Sequence, residues 1–99
     1  MVQMIENLTD IEGQIVARRP HQSLADYDVL RVRVEGARSV PGKADLLSAY
    51  VGTDLDVVVR RQLLDNAQPG ARLRCRAKRT PDGAMCEPHP AASDFSVAP

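Results

Sequence analysis

From Tyr27 to Gly36 the chain alternates in steps of two. Leu30, Val32 and Val34 are apolar, while Arg31, Arg33 and Glu35 between them are charged. Successive strand side chains point to opposite faces, so this pattern predicts a strand with one dry face, its strand character running on toward Val40. Ile11 to Arg18 predicts a second strand, with Ile11, Gly13, Ile15 and Ala17 on one side. A glycine inside such a run points to a bulge or bend, a device by which barrels turn corners. Leu55, Val57 and Val59 share a face in a third strand. Ala71, Leu73, Cys75 and Ala77 alternate with Arg72, Arg74, Arg76 and Lys78 in a fourth. The expected core is Ile15, Leu30, Val32, Val34, Leu55, Val57, Val59, Leu73, Cys75 and Ala77.

Turn chemistry divides these segments. Pro69-Gly70 launches the fourth strand, and Pro81-Asp82-Gly83 reverses it into a short fifth, Ala84 to Pro88. Pro81 presets φ, Asp82 caps the turn and Gly83 supplies positive φ. Pro41-Gly42 breaks the second strand. Ala44 to Val51 predicts a short helix with Leu47, Tyr50 and Val51 inward and Gly52 as its stop. Arg61 to Ala67 predicts one or two helical turns with Leu63 and Leu64 inward. Pro88, Pro90 and the Ala-Ala-Ser run end regular structure, which leaves a flexible tail from about residue 90 in which Phe95 can dock.

Five short strands, each with one dry face, must close or stack to hide it. The fold class is therefore mainly β: a small five-stranded, partly open barrel with one or two short helices, in a single domain over residues 1–99. The order of elements, with a short helix at Arg61 to Ala67 before the Pro69-Gly70 entry into strand four, resembles the OB-fold over Ile11 to Pro88. The resemblance is architectural and departs from the usual plan at the helix between strands two and three. An α+β roll is the alternative.

Composition narrows the function. Ninety-nine residues with only three aromatics, Tyr27, Tyr50 and Phe95, demand an aliphatic core. Thirteen cations balance thirteen anions, so net charge gives no reason to expect a nucleic acid or an anionic membrane as partner. No apolar run reaches the ~18 residues of a spanning helix, no signal-peptide pattern is present, and a cytoplasmic location is expected. The turn places Cys86 across from Lys78 or Arg79, too far from Cys75 for a disulfide.

Four kinds of site can be drawn from these residues. Arg31 and Arg33 on the second strand, with Arg72, Arg74, Arg76 and Lys78 on the fourth, could line a phosphate-binding groove, since guanidinium groups pair bidentately with phosphate. Stacking aromatics are nearly absent, which disfavours single-stranded nucleic acid, and Glu35, Asp54, Asp56 and Glu87 can neutralise the arginines across the sheet. Val16, Val29 and Val58 face away from the expected core and could form an apolar patch for a protein partner or a second copy. Cys86-x2-His89, with Cys75 and His21, lacks the paired spacing of a structural zinc site, so no metal and no cofactor are expected. His21, Ser23 and Asp26 share one polar loop with no nucleophile elbow, and arginines surround Asp54 and Asp56, so no catalytic set emerges. The sequence points to a non-catalytic binding or adaptor module acting through a protein partner or self-association. The alternative is an oligonucleotide-binding module using the arginine-lined strands.

Overall fold

The four alternating segments form the long strands of one barrel. A computed structural model describes residues 6–99, and Met1 to Ile5, the start of the weakly patterned N-terminal stretch, lie outside the described residues. The strands are β1 (Thr9–Pro20), β2 (Tyr27–Ser39), β3 (Asp54–Arg60), β4 (Arg72–Thr80), β5 (Gly83–Cys86) and β6 (Phe95–Ala98). A single helical turn, α1 (Arg61–Leu64), joins β3 to β4, and 3-10 turns occupy Ser48–Tyr50 and Ala92–Asp94.

The sheet runs β1-β2-β3-β5-β4-β6, and β1 also pairs with β4. That extra pairing closes five strands into an OB-like barrel, with β6 as one additional strand. All pairings are antiparallel except β3–β5, which is parallel and holds only two residue pairs, Val57 with Ala84 and Val58 with Met85. The barrel is sealed most thinly there.

The core is one aliphatic cluster. All ten residues expected inside are buried, joined by Ile11, Leu47, Leu64, Ala71, Ala84 and Cys86. A fully buried Leu, Ile or Val side chain contributes roughly 1.5–3 kcal/mol relative to exposure, so this lining supplies the barrel's main stabilisation.

Gly13 sits at a shift in the β1–β2 register, as its place in the pattern predicts. A Cβ there would lie 2.1 Å from the Arg33 carbonyl oxygen, so only glycine lets the two strands approach. A second shift falls between Ile15 and Ala17, leaving Val16 without a partner. The extra residue reverses the alternation, so Ala17 is exposed rather than inward and Arg18 turns partly inside.

Three other expectations are corrected. Ala44 to Val51 is a loop with a single 3-10 turn, not a helix. Eight residues are too few for a helix to hold itself together, and the Asp45 carboxylate accepts hydrogen bonds from the Leu47 and Ser48 amides and from the Thr9 hydroxyl, fixing a turn. Leu47 is fully buried and Tyr50 packs on the core, but Val51 is 44% exposed. Regular structure does not end at Pro88: Phe95–Ala98 pairs with Arg72–Cys75 of β4 and packs Phe95 and Val97 on the core. Finally, Cys86 lies opposite Ala77, not Lys78 or Arg79.

An ion cluster around the buried Asp28 ties β1, β2 and α1 together. The Asp28 carboxylate accepts hydrogen bonds from Arg18 Nε at 2.7 Å and Arg61 Nε at 2.9 Å. Arg18 also donates to the carbonyls of Ala67 (2.7 Å) and Asp65 (3.3 Å), which fixes the turn leading to β4. Burial alone would push the Asp28 carboxyl up. The hydrogen bonds and charges of the two arginines outweigh it and hold the group below the ordinary carboxylate range.

Candidate binding cleft

Strand register brings one residue from each barrel strand into a single outward-facing row. Arg19 of β1 pairs with Val29, Val29 with Val58, Val58 with Met85, and Met85 with Lys78. The middle three are apolar and the two ends cationic. Val29, Val58 and Met85 form the floor of a cleft of about 480 Å³. Its walls are the β1–β2 loop (Pro20, His21, Gln22, Ser23) on one side and Thr80 and Asp82 at the β4–β5 turn on the other. OB-fold proteins take their ligands on this part of the barrel, the face of strands two and three between these same two loops.

Local sequence explains the walls. His21 Nδ1 accepts the backbone N–H groups of Ser23 and Leu24, each at 3.0 Å, which folds the β1–β2 loop back on itself. That leaves Nε2 as the imidazole's other polar atom and commits the ring to bracing the loop. The β4–β5 turn approaches β3 so closely that a Cβ on Gly83 would lie 2.3 Å from the Asp56 carbonyl oxygen.

Beside the apolar row lies a charged one. Asp56 accepts from Arg31 Nε at 3.3 Å and Arg19 Nη2 at 3.4 Å, both long for charge-assisted bonds. Asp54 accepts from Arg33 Nε at 2.7 Å. That bond, aided by the Arg33 and Arg31 charges, outweighs desolvation and lowers the Asp54 pKa. The Arg79 guanidinium lies 5.4 Å from the centre of the Tyr50 ring, in a shallower depression that also borders Arg31, Asp56 and Asp82.

The residues singled out in the sequence divide between two surfaces. Val29 is 8% exposed, Val58 is half-buried beside it, and both are in the cleft floor. Val16, 43% exposed, sits on the β1 bulge outside the cleft lining. Arg31 lines the neighbouring depression beside Asp56, and Arg33 stands two residues further along β2, paired with Asp54. Arg72, Arg74 and Arg76 lie across β1 from them: Gln14 stands between Arg33 and Arg72 in register. These three are engaged by carboxylates, Arg72 by Glu35, Arg74 by Asp10 at 2.7 Å and Arg76 by Asp94 at 3.5 Å. Lys78 has no carboxylate partner among the described residues. Asp26 lines a different depression, with Tyr27, Arg60 and His89. Among the described residues, no three His, Cys, Asp or Glu side chains gather as a metal site, and no helix is long and apolar enough to cross a membrane.

Sequence reasoning missed Met85, Arg19 and the Arg79–Tyr50 stack. Met85 carried a usable signal, because it is the outward-phase apolar residue of a strand whose neighbours Ala84 and Cys86 point inward. Comparison of the chain with protein-family models, with curated proteins and with solved structures found no match.

Proposed function

We propose that this chain is a non-catalytic binding module that docks a protein partner in the cleft over β2 and β3. The observation that carries the reading is the Val29–Val58–Met85 floor. An apolar centre inside a polar rim is the anatomy of a protein docking site. The ion pairs of Arg31, Arg33, Arg72, Arg74 and Arg76 add support, because a phosphate backbone would have to displace a carboxylate at each. A second reading, oligonucleotide binding, draws on Arg79 stacked over Tyr50 next to Arg31, since cations and aromatic faces are what single strands bind.

A photo-crosslinking residue at Gln22, an exposed position on the cleft wall, tests the proposal in native lysate. The expected result is a defined protein adduct that is absent when the crosslinker is placed at Arg38, toward the other end of β2, and lost when Val58→Asp is added. Equal adducts from both positions, or adducts to nucleic acid alone, would overturn it.

A further inference from the structure

We infer that His21 is a proton-sensitive latch: the neutral imidazole holds the β1–β2 wall of the cleft closed, and the imidazolium releases that wall together with the cleft's occupant. The release of an occupant rests on the docking reading; the opening of the loop stands on geometry alone. Nδ1 accepts the Ser23 and Leu24 amides, each at 3.0 Å. A ring nitrogen accepts only through its lone pair, and protonation turns that lone pair into an N–H. Both amides then lose their acceptor in one step and face a donor instead. Imidazole is the side chain that ordinarily makes this change between about pH 5 and 8.

Little else holds the tip of the loop. Gln22, Ser23 and Leu24 are exposed, so packing contributes little. Two backbone bonds close the base, His21 N–H to the Tyr27 carbonyl at 3.0 Å and Tyr27 N–H to the Leu24 carbonyl at 3.2 Å. They are indifferent to the charge on the ring, so release is confined to the tip, where Gln22 and Ser23 form the cleft wall. No ion pair compensates for the lost bonds. The charged groups around the ring are Arg19 of β1, Asp56 of β3 and Asp82 of the β4–β5 turn across the cleft, with Asp26 and Tyr27 closing its own loop. Asp56 is already held by Arg19 and Arg31, and Asp28, at the start of β2, by Arg18 and Arg61. Among the described residues no carboxylate pairs with the imidazole.

The test follows ring and amide NMR signals of the full chain from about pH 8 to about pH 5. At the upper end Nδ1 should be bare and the proton on Nε2. As the ring protonates, the Ser23 and Leu24 amide signals should shift with the same midpoint, and their protection from exchange should fall roughly fivefold to tenfold. His21→Asn, whose side-chain carbonyl accepts backbone amides without titrating, should abolish the transition. His89→Gln, at the chain's other histidine, should leave it in place. In crosslinking from Gln22, adduct yield should fall about fivefold or more over the same interval, and this dependence should vanish with His21→Asn. Amides that ignore the titration of the ring, or a proton on Nδ1 at the upper end, would overturn the inference and leave the docking reading intact. Amides that follow the ring while adduct yield stays level, or falls equally in His21→Asn, would overturn the release of an occupant. No adduct at either end would overturn the docking reading and that release together, and the amides alone would then decide whether the loop opens.

Discussion

Gly83 and Asp56 touch where the β4–β5 turn meets β3, with the site of a glycine Cβ only 2.3 Å from the Asp56 carbonyl oxygen. This contact lets β5 dock parallel to β3 and so closes the barrel. It also sets Asp82 in the cleft wall and Met85 in its floor. At φ +147° Gly83 occupies backbone space that side chains rarely enter.

Gly83→Ala should therefore cost roughly 2–3 kcal/mol, from backbone strain together with the clash. The loss should localise to the thin seam. Denaturant unfolding gives the magnitude, and hydrogen exchange at the amides of Val57 to Val59 should accelerate more than exchange at Leu30 to Val34. Uniform acceleration would mean that the seam is no weaker than the rest of the barrel.

The Asp28 cluster gives a pH dependence of definite sign. Its carboxyl has a lowered pKa in the fold, so its contribution is fully present above the unfolded-state value of about 3.9 and fades as pH falls through the folded value. Stability measured by urea unfolding should drop below about pH 4. Asp28→Asn, which strips Arg18 and Arg61 of their counter-charge, should cost roughly 1.5–3 kcal/mol at neutral pH, since Arg61 keeps access to solvent. It should also flatten the acid limb of the curve. An unchanged acid limb in the variant would place the pH dependence elsewhere.

Cys75 and Cys86 sit in the core one residue pair apart, diagonal across Ala77. The hydrogen bond to the Cys86 thiol, then burial, raises the Cys75 pKa well above the ordinary thiol value, so it stays protonated and unreactive. Diagonal α-carbons lie ~7–8 Å apart, beyond ordinary disulfide geometry. Native protein should resist iodoacetamide, and both thiols should label after unfolding. A Cys75–Cys86 bond found by mass spectrometry in freshly purified protein would contradict this.

The barrel was legible in the sequence because its strands are amphipathic over several residues. Leu30, Val32 and Val34 can hide their side chains in only one way. What escaped was information held in the partner strand or in single contacts. The Val16 bulge inverts the face of Ala17, and nothing local to Val16 announces it. Asp45 reaches back to Thr9 and turns an expected helix into a loop. β6 has four residues, too few for periodicity to register after Pro88 and Pro90, and forms because β4 offers it an edge. At the cleft, Val29 and Val58 stood out as outward-facing valines. Their alignment with Met85 and Lys78 depends on the parallel β3–β5 register, which alternation cannot reveal.

Single-stranded oligonucleotides should bind weakly or not at all near physiological salt. Arginine ion pairs and few aromatics leave only phosphate contacts, whose affinity falls steeply with salt. Fluorescence anisotropy with labelled decathymidylate across a salt series measures this. Sub-micromolar binding persisting near 0.2 M salt, and lost in the triple variant Arg72→Gln, Arg74→Gln, Arg76→Gln, would make nucleic acid the principal ligand.

The docking reading meets its most direct test in a hydrogen-exchange footprint of the chain bound to the partner recovered by crosslinking at Gln22. Protection is predicted at His21 to Ser23, at Val58 and at Met85, with exchange along Arg72 to Arg76 unchanged. Protection of Arg72 to Arg76 with an unaltered cleft would contradict the account.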